Sequence, residues 1–214
     1  MRKKLAISLF LIVCIFSSAV FAADEKEKKI TDLTPWKGHN VSMVNLYKET
    51  DGDRFFAAVH EHAPEGYTVQ MVKDFFDKMF SQKFNSMEVV DGDTIIIDGN
   101  LKGDYAPVGK LITKWEKYEI SWNIFKTDSE DLIAAGYKYF LLMPFHQHGE
   151  DSLRHSHLRY GNADFDYLAT DPSMHGWWPT IYQPATTDEA KIMENMIKGA
   201  KKQASMLPKL KKNS

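Results

Sequence analysis

From Thr68 to Phe84 apolar residues recur at Val69, Val72, Phe75, Phe76, Met79 and Phe80, the spacing of an amphipathic helix, with Pro64-Glu65-Gly66 as a break before it. Downstream the period shortens. Met87 to Val90 and Thr94 to Ile97 flank Asp91-Gly92 and read as a β-hairpin, and further strand-like runs follow at Lys110 to Trp115, Tyr118 to Phe125, Tyr137 to Met143 and Arg154 to Tyr160. A second helical run covers Thr187 to Ser205. Short strands at nearly regular intervals, bracketed by helices, predict an antiparallel barrel or sandwich with helical additions.

The first residues break this pattern. Arg2, Lys3 and Lys4 precede an apolar run from Leu5 to Phe16, and small residues lead to Val20-Phe21-Ala22, a V-x-A cleavage pattern. Residues 1–22 are therefore expected to be a signal peptide cut after Ala22; as an anchor the run is short for spanning a membrane. Ala23-Asp24-Glu25-Lys26-Glu27-Lys28-Lys29 has nothing to bury, so 23–32 is expected to be a leader, 33–205 one domain, and 206–214 a solvated basic tail.

Removing the signal takes three of the 27 basic residues and none of the 29 acids, so the mature chain carries a net charge of −5. That sign is wrong for a nucleic-acid binder. The one cysteine, Cys14, lies in the signal, which excludes thiolate chemistry, zinc-thiolate sites and disulfides from an exported product. No membrane partner is expected after cleavage.

Four of the eight histidines, His146, His148, His155 and His157, fall within twelve residues. Both pairs have i, i+2 spacing, which on a strand puts two side chains on one face about 7 Å apart. Between the pairs Gly149-Glu150-Asp151-Ser152 has a loop composition, so the chain is expected to turn back and let three imidazoles meet. Imidazole suits zinc, copper, nickel or cobalt, and three such ligands leave a fourth tetrahedral position open. His60 and His62 form another i, i+2 pair, read as an exposed strand end and a candidate auxiliary metal site; His39 and His175 read as surface or capping residues. Affinity for metal is expected to fall below about pH 6, where imidazoles protonate.

His146, eight residues, His155-Ser156-His157, then Gly161-Asn162 resembles the zinc site of the periplasmic zinc-binding ZinT (YodA) family. Leu33-Thr34-Pro35-Trp36-Lys37-Gly38 is similar to that family's opening, and Trp178-Pro179-Thr180-Ile181-Tyr182 with the acid-started helix after it to its ending. The resemblance implies a calycin fold, a lipocalin-like antiparallel β-barrel with additional helices, exported to the periplasm. It implies Zn2+ held by His146, His155 and His157, with Cd2+ and similar divalent ions also bound, and buffering or delivery to the solute-binding protein of a zinc ABC importer. The family's usual disulfide is absent from the mature chain, and the leader 23–32 has no histidine; His148 and the His60/His62 pair are the candidates to substitute in capture.

No enzymatic activity is expected. A three-histidine site could equally activate a water for metalloenzyme chemistry, but Glu150 and Asp151 are the only acids near it in sequence and read as solvated loop residues. A lipocalin-like binder of apolar molecules is the other alternative. Trp36, Trp115, Trp122, Trp177 and Trp178, and Met71, Met79, Met87 and Met143, read instead mostly as core filling.

Overall fold

A computed structural model describes residues 30–115 and 118–210; the expected signal with Cys14, leader residues 23–29 and tail residues 211–214 lie outside the described residues. The strands are β1 (Gly38–Ser42), β2 (Ser86–Val89), β3 (Thr94–Ile97), β4 (Leu101–Asp104), β5 (Ala106–Trp115), β6 (Tyr118–Lys126), β7 (Tyr139–Leu142), β8 (His155–Gly161) and β9 (Thr180–Tyr182). They pair antiparallel in one sheet of order β4-β3-β2-β1-β9-β8-β7-β6-β5. Only Tyr105 separates β4 from β5 in the chain, yet they are the two ends of the order. A flat sheet of this width would hold its outer strands about 38 Å apart. One linking residue spans only about 7 Å, so the sheet must curl, as the lipocalin-like expectation requires.

The β2–β3 hairpin forms as its sequence predicts, but its corner is the longer Val90 to Asp93, with Asp91 Oδ1 accepting from the Asp93 and Thr94 amides at 3.2 and 2.9 Å. The tight turn with two left-handed residues sits instead between β3 and β4, at Asp98 (φ 48°) and Gly99 (φ 75°).

The helices are α1 (Met43–Glu49), α2 (Gly52–His60), α3 (Val69–Phe80), α4 (Glu130–Ala135), α5 (Phe165–Thr170), α6 (Glu189–Lys198) and α7 (Ala200–Ala204). The predicted first helix is α3, capped by Thr68 Oγ1 accepting from the Met71 amide at 3.2 Å. Val72, Phe76, Met79 and Phe80 form its buried stripe. The second predicted helix is broken at Gly199 into α6 and α7. His60 and His62 do not form a strand end: they lie at and beyond the end of α2, where i, i+2 residues do not share a face. Gly52 opens α2 because a Cβ there would overlap the Tyr47 carbonyl at the end of α1.

Two clusters form the core. On one sheet face Trp36, Phe84, Tyr105, Phe140 and Tyr160 pack with the aliphatic residues of β2 and β3. On the other, Tyr47, Phe55, Phe56, Phe76 and Phe80 from α1 to α3 stack together and cover Trp122, Leu141, Trp178 and Tyr182. Met79 and Met87 are buried core residues as expected. Among the described residues no helix is long and apolar enough to cross a membrane.

Buried Asn40 ties the opening segment to the sheet: its Nδ2 donates to the carbonyls of Trp36 and Gly38, both at 2.9 Å, and of Met87 at 3.2 Å. Because removal strands buried carbonyls, Asn40→Ala is expected to destabilise the fold by about 2–4 kcal/mol in urea unfolding. A change below about 0.5 kcal/mol would mean that Asn40 carries none of this attachment.

Candidate metal centre

β8 presents His155, His157 and Arg159 on one face, and Ser156, Leu158 and Tyr160 on the other, by strand alternation. Opposite it the chain leaves β7 in register: Leu142 faces Leu158, and the Met143 amide donates to the His157 carbonyl at 2.9 Å. His146 and His155 then exchange both backbone hydrogen bonds, each at 2.9 Å. Pro144 and Phe145 thus stand against the single residue Ser156, a β-bulge. In unbroken register Phe145 would face His155; the extra residue puts His146 there. The bulge is held from the reverse face, where Trp36 Nε1 donates to the Met143 carbonyl (3.0 Å) and to Ser156 Oγ (3.1 Å), and Ser156 Oγ donates to the same carbonyl at 2.6 Å.

One ring nitrogen from each of His146, His155 and His157 lies within 4.8 Å of the other two. Tetrahedral coordination at about 2.0–2.1 Å needs nitrogens roughly 3.3 Å apart, a separation that this bound admits. The tautomers are fixed. His146 Nδ1 lies 3.1 Å from the Pro144 carbonyl and His155 Nδ1 2.8 Å from that of Leu153; a carbonyl only accepts, so both Nδ1 atoms carry the hydrogen. His157 Nδ1 lies 2.8 Å from Thr180 Oγ1, whose own hydrogen goes to the Trp178 carbonyl at 2.8 Å, so this Nδ1 also donates. All three Nε2 atoms are left with lone pairs, the form a metal needs. The edge of Trp178 packs against the His157 ring at 5.5 Å between centroids.

Burial, reinforced by the other imidazoles, pushes His155 down to about 3 and His157 well below the ordinary histidine range. Burial lowers His146 as well, against the opposing effect of the Pro144 carbonyl. The rings are therefore neutral at neutral pH.

The site opens into a cavity of about 310 Å3 lined by His155, His157, Met43, Phe80, Ile192 and Met196, with His148 and Lys202 also on its wall. His148 is an exposed residue whose ring turns in to the cavity wall, 5.1 Å from the ring of His146 and 5.4 Å from that of His155, near the trio without belonging to it. Burial, then the charges of His146 and Lys202, holds His148 at about 4. Lys202 thus belongs to the cavity as well as to the basic helix end. The one acid in the lining, Asp151, is ion-paired with Lys191 at 2.9 Å.

His60 and His62 are not brought to this site: His60 Nε2 is bonded to the Tyr67 carbonyl at 2.9 Å, and neither residue lines the cavity. His39 is exposed on β1 and His175 ends a short 3-10 turn at Pro172–Met174, surface and capping positions as expected. The sequence reading missed Thr180, which orients His157 from β9, and the anchoring of the bulge by Trp36 and Ser156. A threonine two residues beyond Trp178 carries no signal until β9 is known to pair with β8.

No family model matches the sequence, and no curated protein matches it. Among solved structures, the fold matches the Zn(II)-bound ZinT-like domain of Streptococcus pneumoniae AdcA, with TM-score 0.57 and 19% identity over 82% of this chain and 94% of that one. It also matches Zn(II)-bound AdcA from the same organism, with TM-score 0.56 and 20% identity over 78% of this chain and 35% of that one. The chain therefore has the ZinT-like fold.

Because the folded state depresses the histidine pKa values, the unfolded chain binds more protons between pH 6.5 and the folded values, and stability falls as pH drops through that window. The denaturant midpoint of the metal-free protein is expected to decline below pH 6.5, and less steeply in His155→Gln; equal slopes would show that burial does not hold this ring neutral. Thr180→Val should keep the fold and lower metal affinity roughly 10- to 100-fold by releasing the His157 tautomer. Unchanged affinity in a chelator competition would remove Thr180 from the site.

Proposed function

We propose that this chain is an exported zinc-binding protein of the ZinT (YodA) type, which captures Zn2+ through His146, His155 and His157 and buffers it or passes it to the solute-binding protein of a zinc ABC importer. The observation that carries this reading is the convergence of three neutral imidazoles whose Nδ1 hydrogens are already committed. Two solved chains of the same fold are described as Zn(II)-bound, which supports zinc as the cargo. Imidazole ligands accept Cd2+ and similar divalent ions as well. In the longer AdcA chain the matched part is 35% of the whole, which supports a partnership between this kind of domain and a larger zinc-handling protein.

Carriage is favoured over hydrolysis by what surrounds the trio. A metal-bound water needs a general base to take its proton. Among the described residues the single acid lining the cavity is Asp151, held by Lys191. Met43, Phe80, Ile192 and Met196 supply no proton acceptor, which leaves the His148 imidazole as the base on this wall beside the trio, and the fourth coordination position is open to a receiving protein's ligand. His148 at the exposed side serves as a transient ligand during entry or exit. Export and signal cleavage after Ala22 complete the proposal.

Competition titration against a chromophoric chelator tests it. One Zn2+ per chain should bind tightly, His155→Ala and His157→Ala should each cost more than the roughly 100-fold typical of losing an outer partner, and His148→Ala should cost less than His146→Ala. Normal curves for both the His155 and His157 variants would end the assignment. Three imidazoles titrating at 6.5 would lose about ten-thousand-fold in affinity from pH 7 to pH 5. With His155 at about 3 and His157 also depressed, the loss should be much smaller and the steep fall should come at lower pH than an exposed site would show. Faster delivery of zinc to the organism's importer-binding protein than free exchange allows would establish the carrier role.

A further inference from the structure

The cavity beside the three histidines is lined with more hydrocarbon than a bare ion needs. Ile192 and Met196, one turn apart on α6, line it together with Met43, Phe80 and Met206, and the Ile192, Met196 and Met206 side chains are only half-buried. Its volume of about 310 Å3 is at the small end of the range of ligand pockets and about ten times the share of one water in the liquid. An ion carrying a water as its fourth ligand would leave this lining wet, and apolar surface kept in water is unfavourable.

The polar side of the same cavity has a definite sign. Lys202 lies on its wall, and the one acid among the described residues that line it, Asp151, is paired with Lys191 at 2.9 Å and feels the charge of Lys198 as well. His155 and His157 reach the cavity as neutral rings, so zinc on the trio would keep its full double charge beside a lysine and an apolar wall. A charge in such surroundings is costly unless an opposite one sits against it. The occupant that answers these features has an anionic oxygen head for the fourth metal position and for Lys202, and a hydrocarbon body for the wall.

We infer that this cavity binds a medium-chain aliphatic monocarboxylate together with zinc, the carboxylate taking the fourth position and the chain lying along Met43, Phe80, Ile192 and Met196. The inference rests on zinc occupying the trio as proposed above. In the metal-free protein the trio offers only lone pairs, which repel a carboxylate, itself only an acceptor, so the acid binds after the metal. Each ligand then tightens the other, because coupling between two ligands is reciprocal.

The test is isothermal titration calorimetry of the zinc-loaded and the metal-free protein with acetate, butyrate, hexanoate, octanoate and octan-1-ol. The zinc-loaded protein should bind octanoate about tenfold or more tightly than the metal-free protein does, and by a similar margin over octan-1-ol, and each methylene from butyrate to octanoate should add about fourfold. Ile192→Gln and Met196→Gln make the wall polar at half-buried helical positions away from the trio. Each should weaken octanoate about tenfold, while zinc affinity measured without octanoate stays that of the parent. Equal affinity for acetate and octanoate, for octanoate and octan-1-ol, or with and without zinc would overturn the inference, as would octanoate affinity unaltered in both wall variants. Failure to bind zinc in the chelator competition would overturn the function proposed above and this inference with it; zinc binding without carboxylate binding would overturn this inference alone.

Discussion

The extra residue at Pro144–Phe145 is the constraint on which the centre depends. A β-ladder in perfect register places whatever the sequence dictates opposite each residue, and here that would set an aromatic ring against His155. Inserting one residue shifts the partner to His146 and turns its ring to the face that already carries His155 and His157. A bulge leaves backbone groups out of the ladder and must be held by something else. Proline removes one amide donor at the outset, and the freed Met143 carbonyl is taken by Trp36 and Ser156. A tryptophan from the opening segment, more than a hundred residues earlier in the chain, therefore fixes the geometry of a site it never touches.

The same logic governs the ring protonation. Three imidazoles brought together in a partly buried site repel one another if charged, and burial alone penalises the charged form. Burial and the neighbouring rings keep each imidazole neutral, against the pull of the Pro144 and Leu153 carbonyls, while the oxygen acceptors fix the hydrogen on each Nδ1 and leave the other lone pair unused by the protein. The cost of holding these lone pairs close is repaid only when a cation arrives, so the apo fold is arranged for binding before it occurs.

What could be read from the sequence follows from the range of the interactions involved. His155 and His157 were legible because alternation along one strand is local, and α3 was legible because its apolar stripe recurs over three turns. The place of His146 beside them was legible only as a loop that turns back; its exact partner depends on the bulge, which no periodicity marks. His60 and His62 share the i, i+2 spacing yet end a helix, since spacing of polar residues without an apolar pattern does not distinguish the two states. α2 escaped notice although Gly52, Phe55, Phe56 and Val59 are its buried positions, because one of the four is a glycine beside a turn. β9 has three residues, all buried, too short to show a period, and Thr180 was lost with it.

Strand alternation also explains why a buried cation stands two residues from a candidate metal centre. The face that supplies His155 and His157 must supply Arg159 next, and that positive charge acts against a bound dication. The guanidinium is directed onto three backbone carbonyls and the faces of two stacked indole rings, and Trp178 touches both it and His157. Those partners soften the charge without cancelling it, because carbonyls and ring faces carry partial charges and no carboxylate is present.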